Sequence, residues 1–351
     1  MSDQAYEDLA LAMDRLPNGY PRTTSGVEIR ILEKIFTPDE AALAARLTGH
    51  YETFAEISAR TGLAEDVFNR TLIALAQRGL VWFEKSDGRA RFRLAPFVVG
   101  IYEASMHLLD HELAHLVEDY FREGGAKGIM GYEPALHRVV PAQDAIKSEW
   151  IMPYDDLRSI ILACQSFNVR DCICRVERDL VGETCHFPVH TCINFSESER
   201  PAQPGDVSQA EALELLDKWE EIGLVHTVNN VAKGVFYVCN CCGCCCGILR
   251  GITEYGLPNS VARANYYAVI DPVMCAGCGT CIERCQVKAI SDVDGISVVD
   301  RELCIGCGLC VTGCPNDVAL LERKADAETI HPPADFSDWE ARRLRNRGML
   351  Q

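Results

Sequence analysis

The residues best suited to chemistry in this chain are its cysteines. There are nineteen, and most lie in two segments, six from Cys239 to Cys246 and eight from Cys275 to Cys314. Thiolates bind soft metals such as zinc and the iron of iron–sulfur clusters. The N-terminus lacks the basic-then-apolar layout of a signal peptide, so we expect a cytoplasmic protein whose thiols stay reduced. The cysteines are therefore predicted to bind metal and not to form disulfides.

Two late cysteine runs, "CAGCGTCIERC" and "CIGCGLCVTGC", share the spacing C-x2-C-x2-C-x3-C. Three thiolates spaced in this way wrap a short loop around one face of a metal cluster, and the following helix carries the fourth thiolate away. Between the runs, Asp294-Gly295 predicts the turn of a β-hairpin. Four glycines let the backbone approach the sulfurs closely: Gly277, Gly279, Gly306 and Gly308.

This region resembles the bacterial dicluster ferredoxin domain over about sixty residues. The resemblance implies two 4Fe-4S clusters. The first would be bound by Cys275, Cys278, Cys281 and Cys314. The second would be bound by Cys304, Cys307, Cys310 and Cys285. The sequence departs from the family at Gln286, where the first run usually has proline. Zinc is the competing metal, but zinc sites normally use two C-x2-C pairs.

Ten further cysteines form two blocks in the middle of the chain. The first block contains Cys172, Cys174, Cys185 and Cys192. The second contains Cys239, Cys241, Cys242, Cys244, Cys245 and Cys246. A C-x-C pair in an extended segment places both sulfurs on one face, and Cys185 and Cys192 could complete a four-thiolate site with it. The second block has more thiols than one four-iron cluster uses.

Several arrangements of these ten cysteines stay open. Some thiols of the second block could complete the first site, or the two blocks could build two centres or one larger one. A structural zinc site and a mixed site with His186 or His190 are alternatives. An iron–sulfur centre is favoured because a cluster pair follows directly in sequence. The remaining cysteine, Cys164, is predicted to be a small core residue.

From about Pro134 onward, the order of these motifs is similar to that of multi-cluster ferredoxin-like proteins of anaerobes. The resemblance implies electron transfer, with a flavoprotein or an oxidoreductase subunit as redox partner. No G-x-G-x-x-G fingerprint or Walker loop is found in the sequence, so any flavin or nicotinamide is expected to belong to that partner. Two alternatives are a redox-sensing transcription regulator and an iron–sulfur oxidoreductase with a catalytic centre in the middle cysteines.

The segment Glu52–Leu94 resembles a winged helix-turn-helix domain. A short helix, a turn at Thr61-Gly62, a helix from about Ala64 to Arg78 and a hairpin with Asp87-Gly88 at its tip follow in that order. The second helix begins with acidic residues, and the formal charge of the whole chain is −17. Nucleic acid is therefore an unfavoured partner, and protein docking is the preferred use.

Two smaller motifs have ordinary explanations. "HELAH", from His111 to His115, matches a zinc-protease pattern, but Glu118 and His107 continue the same polar stripe, which predicts an amphipathic helix. The tail ends in a short basic helix, whose arginines are expected to form a solvated face or a charge complement to the helix end. These arginines are Arg342, Arg343, Arg345 and Arg347.

Together these patterns predict a multidomain α+β protein without a membrane span. We expect a winged-helix-like helical domain over residues 1–125 and a cysteine-rich α+β domain over 126–270. A dicluster ferredoxin domain over 271–325 and a tail over 326–351 complete the chain. The predicted function is electron transfer through two 4Fe-4S clusters and one or two additional iron–sulfur centres.

The ligand sets implied by the resemblance can be tested by replacing Cys310 with serine. We expect Cys310→Ser to remove one cluster, about four iron atoms per chain, and to leave the middle centre intact. Iron and sulfide analysis with EPR on anaerobically purified protein measures both. Simultaneous loss of every cluster would contradict the separation of the two domains.

Overall fold

The computed structural model describes residues 2–350, which form two compact units. The first unit contains the chain up to Tyr132, the short segment Leu180–Gly182 and the chain from Arg343 onward. The second contains Glu133–Asp179 and Glu183–Arg342. Both units combine helices with β-sheet, so the coarse prediction of a multidomain α+β protein is confirmed. None of the described helices is long and apolar enough to cross a membrane.

The elements up to Tyr132 are mostly helical. The helices are α1 Ser2–Asp14, α2 Val27–Ile35, α3 Pro38–Ala44, α4 Phe54–Thr61, α5 Glu65–Gln77, α6 Tyr102–Ala104, α7 His111–Tyr120 and α8 Ala126–Met130. The strands are β1 Glu52–Thr53, β2 Val81–Ser86 and β3 Arg89–Leu94. Capping boxes start α3 at Thr37 and α4 at Thr53, where each hydroxyl accepts a hydrogen bond from a backbone N–H three residues later.

The predicted helix–turn–helix–hairpin order is present in the first unit. Helix α4 ends at Gly62, α5 follows, and β2 and β3 pair as a hairpin. Asp87 and Gly88 at its tip have φ angles of 50° and 76°, the left-handed pair that a tight I′ turn requires. Strand β1 pairs with β3, so the sheet has the order β1-β3-β2. Phe68, Leu72 and Leu75 of α5 are buried.

Helix α7 is amphipathic, as its sequence predicts. Asp110 caps it by accepting a hydrogen bond from the Leu113 backbone N–H. His111, Glu112 and His115 are exposed, and Glu112 pairs with Lys34. Glu118 is the exception to the predicted polar stripe, because it is buried and pairs with Arg122. The exposed carboxylate of Glu112 thus forms a surface ion pair with Lys34.

The prediction that the tail arginines are solvated is wrong for two of the four. Arg343 is fully buried and donates to the backbone carbonyls of Pro17, Ile129 and Tyr132. Arg347 is nearly buried as well and donates to the carbonyl of Leu16 and to Asp14. A guanidinium presents five donors in a fixed plane, so it can satisfy several carbonyls left open at chain turns. This use depends on tertiary neighbours and has no local sequence signal.

The elements from residue 133 onward include most of the β-structure. The strands are β4 His137–Val139, β5 Ser166–Asp171, β6 His190–Ser196, β7 Asp206–Val207, β8 Val225–Asn229, β9 Tyr237–Cys241, β10 Val261–Ala262, β11 Tyr266–Ile270, β12 Ile290–Val293, β13 Ile296–Val299 and β14 Ala319–Arg323. The helices are α9 Leu157–Leu162, α10 Ile173–Leu180, α11 Gln209–Glu221, α12 Gly247–Thr253, α13 Thr280–Arg284, α14 Leu309–Thr312 and α15 Phe336–Asn346.

A seven-stranded sheet forms the core of the second unit. Its order is β10-β4-β8-β9-β6-β5-β7, and every pair is antiparallel except β10 with β4. Helices α9 and α11 pack on it through buried residues that include Ile161, Leu216 and Trp219. The predicted capping box of α11 is confirmed, because Ser208 and Glu211 bond each other's backbone N–H. The sheet thereby places β6 and β9 side by side in the interior.

Each cysteine run of the C-terminal part follows a short strand and contains a short helix. Strand β11 pairs with β14, and β12 pairs with β13 as the predicted hairpin. Asp294 and Gly295 have φ angles of 54° and 80°, which again fit a I′ turn. Helices α13 and α14 each begin after a glycine with left-handed φ. All four glycines predicted to shape these loops have positive φ.

The buried Arg343 gives a stability test. Replacing it with methionine leaves three backbone carbonyls without their donor, so we expect Arg343→Met to lower the free energy of unfolding by about 3 kcal/mol. Guanidinium unfolding of the full-length chain measures the change. Arg345→Met in the same helix is the matched control; Arg345 is exposed, and its change should stay within about 0.5 kcal/mol. Equal effects of the two substitutions would contradict the structural role of Arg343.

Candidate metal centres

Three cysteines of the second run converge with Cys285 of the first run on one cavity. Cys285, Cys304, Cys307 and Cys310 line it together with Leu309. Burial, together with the charges of Cys304 and Cys285, raises the pKa of Cys310 to about 12. The apolar cavity thus disfavours free thiolates, and a bound cation or cluster would relieve this cost.

The first run is more exposed. The Cys275 thiol receives hydrogen bonds from the backbone N–H groups of Ser297 and Gly277, which lower its pKa. The Thr280 hydroxyl and backbone N–H do the same for Cys278. Cys281 is buried and acts electrostatically on Cys310. Donors aimed at sulfur are the arrangement that stabilises bound thiolate.

Close backbone contact restricts the residue types that the loops around these thiols can contain. Gly306 has a φ of 72°, and a Cβ there would lie 2.4 Å from the carbonyl oxygen of Tyr266. Such a distance excludes any side chain. The loop that carries Cys304 and Cys307 is therefore pressed against β11, so its thiols face the cavity. This cradle and its four converging thiols fit a bound iron–sulfur cluster.

The ten middle cysteines separate into a group of six and a group of four. We call the first the six-thiol ring: Cys172, Cys174, Cys246, Cys241, Cys239 and Cys192, in the order in which they contact one another. We call the second the tetrathiol group: Cys185, Cys242, Cys244 and Cys245. All nineteen cysteines lie within the described residues, and each is a free thiol.

Sheet register positions the six-thiol ring. Cys192 of β6 stands directly opposite Cys239 of β9, and Cys241 lies two residues further on the same face of β9. Cys172 follows β5, Cys174 lies in α10 and Cys246 is the N-cap of α12. The segment around Cys172 is therefore not the extended C-x-C strand that the spacing suggests, since helix α10 begins at Ile173. The two thiols nevertheless hydrogen-bond each other.

Thiol–thiol hydrogen bonds divide the ring into donors and acceptors. Bonds from Cys174 and Cys192 lower the pKa of Cys172 well below its ordinary value. The same bonds to Cys172 raise the pKa values of Cys174 and Cys192. On the other side, the Thr227 hydroxyl lies 3.4 Å from the Cys241 sulfur. Ionisation of Cys172 thus favours protonated neighbours, and a bound metal would replace those protons.

The tetrathiol group is tighter. Its four sulfurs lie within 4.8 Å of one another. Cys185 lies 3.8 Å from Cys242 and 3.4 Å from Cys244, and Cys244 lies 3.7 Å from Cys245. Three of the thiols come from the turn between β9 and α12, and Cys185 comes from the loop after α10. The hypothesis that Cys185 joins Cys172, Cys174 and Cys192 therefore places it with the wrong partners.

Arg175 supplies a buried positive charge between the two thiol groups. Its side chain is 1% exposed and donates to the carbonyls of Asn240 at 2.8 Å and Pro188 at 3.0 Å. Burial by itself lowers the pKa of Arg175, but the charges of Cys172 and Cys242 raise it by more. The guanidinium therefore stays protonated, and it offsets the negative charge of thiolates on either side.

Neither histidine of this region joins the thiols. The Nδ1 atom of His190 lies 2.8 Å from the Asp171 carboxylate. His186 is exposed, and its ring lies 4.1 Å from that of Phe187. Among the described residues, the one tight group of potential metal ligands consists of cysteines alone. The geometry thus gives no support to the mixed cysteine–histidine alternative.

Comparison with known proteins assigns one part of the chain. Residues 262–319 match the family described as a 4Fe-4S dicluster domain. The chain therefore contains a ferredoxin-type iron–sulfur domain. Neither the search of curated proteins nor that of solved structures returned a match.

Gln286, the departure from the ferredoxin pattern, connects this dicluster domain to the tetrathiol turn. Its side-chain oxygen accepts a hydrogen bond of 2.8 Å from the Gly243 N–H, and its amide nitrogen donates to the Gly223 carbonyl at 2.9 Å. Gly243 is so close that a Cβ there would lie 1.8 Å from the Gln286 carbonyl oxygen. A proline at position 286 could make neither side-chain bond. The unusual residue type was the sequence signal for this junction.

Removing the Gln286 side chain tests this junction. Gln286→Ala loses two hydrogen bonds and leaves a buried backbone group without a partner, so we expect the free energy of unfolding to fall by about 2 kcal/mol. Anaerobic guanidinium unfolding of the metal-loaded protein measures the change. Glu283→Ala, at an exposed site in the neighbouring helix, serves as control and should change stability by less than about 0.5 kcal/mol. A Gln286→Ala protein as stable as this control would rule the junction out.

Proposed function

We propose that the protein is an iron–sulfur electron-transfer protein that relays electrons through two 4Fe-4S clusters and at least one further centre. The observation that carries the proposal is the dicluster domain at residues 262–319, which lies in the same compact unit as the six-thiol ring. A cluster, when bound, supplies one-electron transfer at a potential set by burial, charge and hydrogen bonds to sulfur. This chain's own residues supply those three influences.

We propose that the two ferredoxin clusters use the crossed ligand sets expected for two such runs. The first set is Cys275, Cys278, Cys281 and Cys314. The second is Cys304, Cys307, Cys310 and Cys285. The convergence of Cys285 with the second run on one cavity supports this assignment. The N–H donors to Cys275 and Cys278 would stabilise the thiolates of the first set.

The further centre belongs in the six-thiol ring. Cys172, Cys241 and Cys246 are buried and the other three are partly buried, as an electron carrier shielded from water requires. A four-iron cluster would use four of the six thiolates, whereas a larger cluster could use all of them. The buried guanidinium of Arg175 would favour the reduced, more negative state of such a centre.

The first unit suits a docking role better than DNA binding. Helix α5, which corresponds to the recognition helix of a winged helix-turn-helix domain, begins with Glu65 and Asp66. Its exposed face also carries Val67 and Ile73, which are 69% and 44% exposed. Acidic residues repel phosphate, and apolar side chains make no phosphate contacts. We therefore propose that the winged-helix-like domain over residues 1–125 is a docking module for a redox partner. That partner would be a flavoprotein or an oxidoreductase subunit.

Iron analysis of single-cysteine variants tests the proposed relay. The anaerobically purified chain should contain about twelve or more iron atoms, about eight of them in the dicluster domain. Cys192→Ser should lose only the iron above eight, because Cys192 lies in the six-thiol ring. EPR of the dithionite-reduced protein should lose one signal and keep those of the ferredoxin clusters.

Cys164→Ser is the matched control for Cys192→Ser. Cys164 is buried in the apolar core, and burial is the main cause of the raised pKa of its thiol. Its replacement should therefore leave the iron content unchanged. A wild-type chain with about eight iron atoms would contradict the proposal of a further centre, but it would agree with an electron relay through the dicluster domain. A chain that contains no reducible cluster would overturn the electron-transfer function itself.

A further inference from the structure

We propose that the tetrathiol group, Cys185, Cys242, Cys244 and Cys245, binds a single zinc ion. This site is separate from the iron–sulfur centres, and it does not depend on the electron-transfer function proposed above. It assigns four of the ten middle cysteines to a redox-inert metal. Its argument rests on sulfur spacing, charge and the closed form of the site.

The spacing of the sulfurs fits one ion and not a cluster. Zinc binds thiolate at about 2.3 Å with tetrahedral geometry, so sulfurs around one zinc ion lie about 3.8 Å apart. The measured separations are 3.4, 3.7 and 3.8 Å. A 4Fe-4S cluster spreads its cysteines further, because each thiolate binds a different iron atom. A cluster would not fit between these four sulfurs without moving them apart.

The ferredoxin part of the chain provides an internal comparison. Its eight cysteines match a domain that binds two 4Fe-4S clusters. Over residues 2–350, however, those cysteines do not form a group whose ligand atoms all lie within 4.8 Å, whereas the tetrathiol group does. The six-thiol ring does not form such a group either. The tetrathiol group is therefore the one compact set of thiols among residues 2–350, and it differs in this respect from both the ring and the ferredoxin cysteines.

The surroundings of the tetrathiol group provide the charge balance for zinc. Four thiolates around a divalent ion leave a net charge of −2. The buried guanidinium of Arg175 hydrogen-bonds to Cys242, and the Phe187 backbone N–H donates to the Cys185 sulfur at 3.4 Å. Outer hydrogen bonds of this kind orient metal ligands and reduce their charge.

The site is of the closed, structural kind. Structural zinc sites have four protein ligands, whereas catalytic ones leave one position for water. Here four thiols from one turn and one loop complete the tetrahedron. Zinc would fix the turn from Cys242 to Cys245, and with it Cys241 and Cys246, which flank the turn and belong to the six-thiol ring. The same turn contacts Gln286, so the ion would hold the ring and the dicluster domain in register.

The decisive experiment is metal analysis of two variants with matched exposure. Cys244 and Cys278 are both exposed, but Cys244 belongs to the tetrathiol group and Cys278 to the first ferredoxin run. The chain, purified anaerobically and washed with EDTA, should retain about one zinc ion. Cys244→Ser should lose this zinc and keep its iron. Cys278→Ser should keep the zinc and lose iron.

X-ray absorption at the zinc edge of the wild-type chain tests the site even if Cys244→Ser does not fold. We expect a single shell of four sulfurs at about 2.3 Å. Loss of iron in place of zinc from Cys244→Ser, whether one atom or four, would overturn the proposal. A zinc shell that contains oxygen or nitrogen, or a washed wild-type chain without zinc, would also overturn it.

Discussion

The crowding of ten thiols, five of them buried and four partly buried, is the constraint on which the second unit depends. Neighbouring thiolates repel each other, and burial disfavours each charge further. In the ring, thiol–thiol hydrogen bonds divide the protons unevenly, because they lower the pKa of Cys172 and raise the pKa values of Cys174 and Cys192. Bound metal removes the conflict, because it replaces protons and neutralises sulfur. The fold of this unit and its metal content are therefore two aspects of one equilibrium.

One short segment distributes its sulfurs to two sites because its backbone changes conformation twice. Cys239 and Cys241 share a face of strand β9, since strand residues alternate with a period of two. The chain then turns, and Cys242, Cys244 and Cys245 project to the tetrathiol group. Cys246 begins α12 and points back to the ring. Six cysteines in eight positions are thus divided by secondary structure, and no single site has to accommodate them all.

Features with local causes were predictable from the sequence. The Asp-Gly turns, the Ser208 capping box and the amphipathic helix α7 each depend on residues a few positions apart. The partition of the ten middle thiols was not predictable, because it depends on the register of β6 against β9. The prediction that Arg343 and Arg347 are solvated was wrong because their partners are also distant in sequence. The local sequence predicts a solvated side chain for a basic residue near a helix end, and it contains no information about the distant carbonyls that surround that side chain.

The positions of the ring's six cysteines along the chain also bear on the order in which the metal sites of this unit can form. Each ferredoxin run supplies three thiols within a few residues, so a nascent loop can begin to bind iron early. The ring draws its six thiols from three separate segments of the chain, residues 172–174, Cys192 and residues 239–246. Bringing these segments together costs chain entropy, which the strand pairing of the formed sheet offsets. A metal centre in the ring, as proposed above, would therefore have to be inserted into a nearly finished fold. A chain that misfolds its sheet would then leave these six thiols without a shared site, whatever the supply of iron.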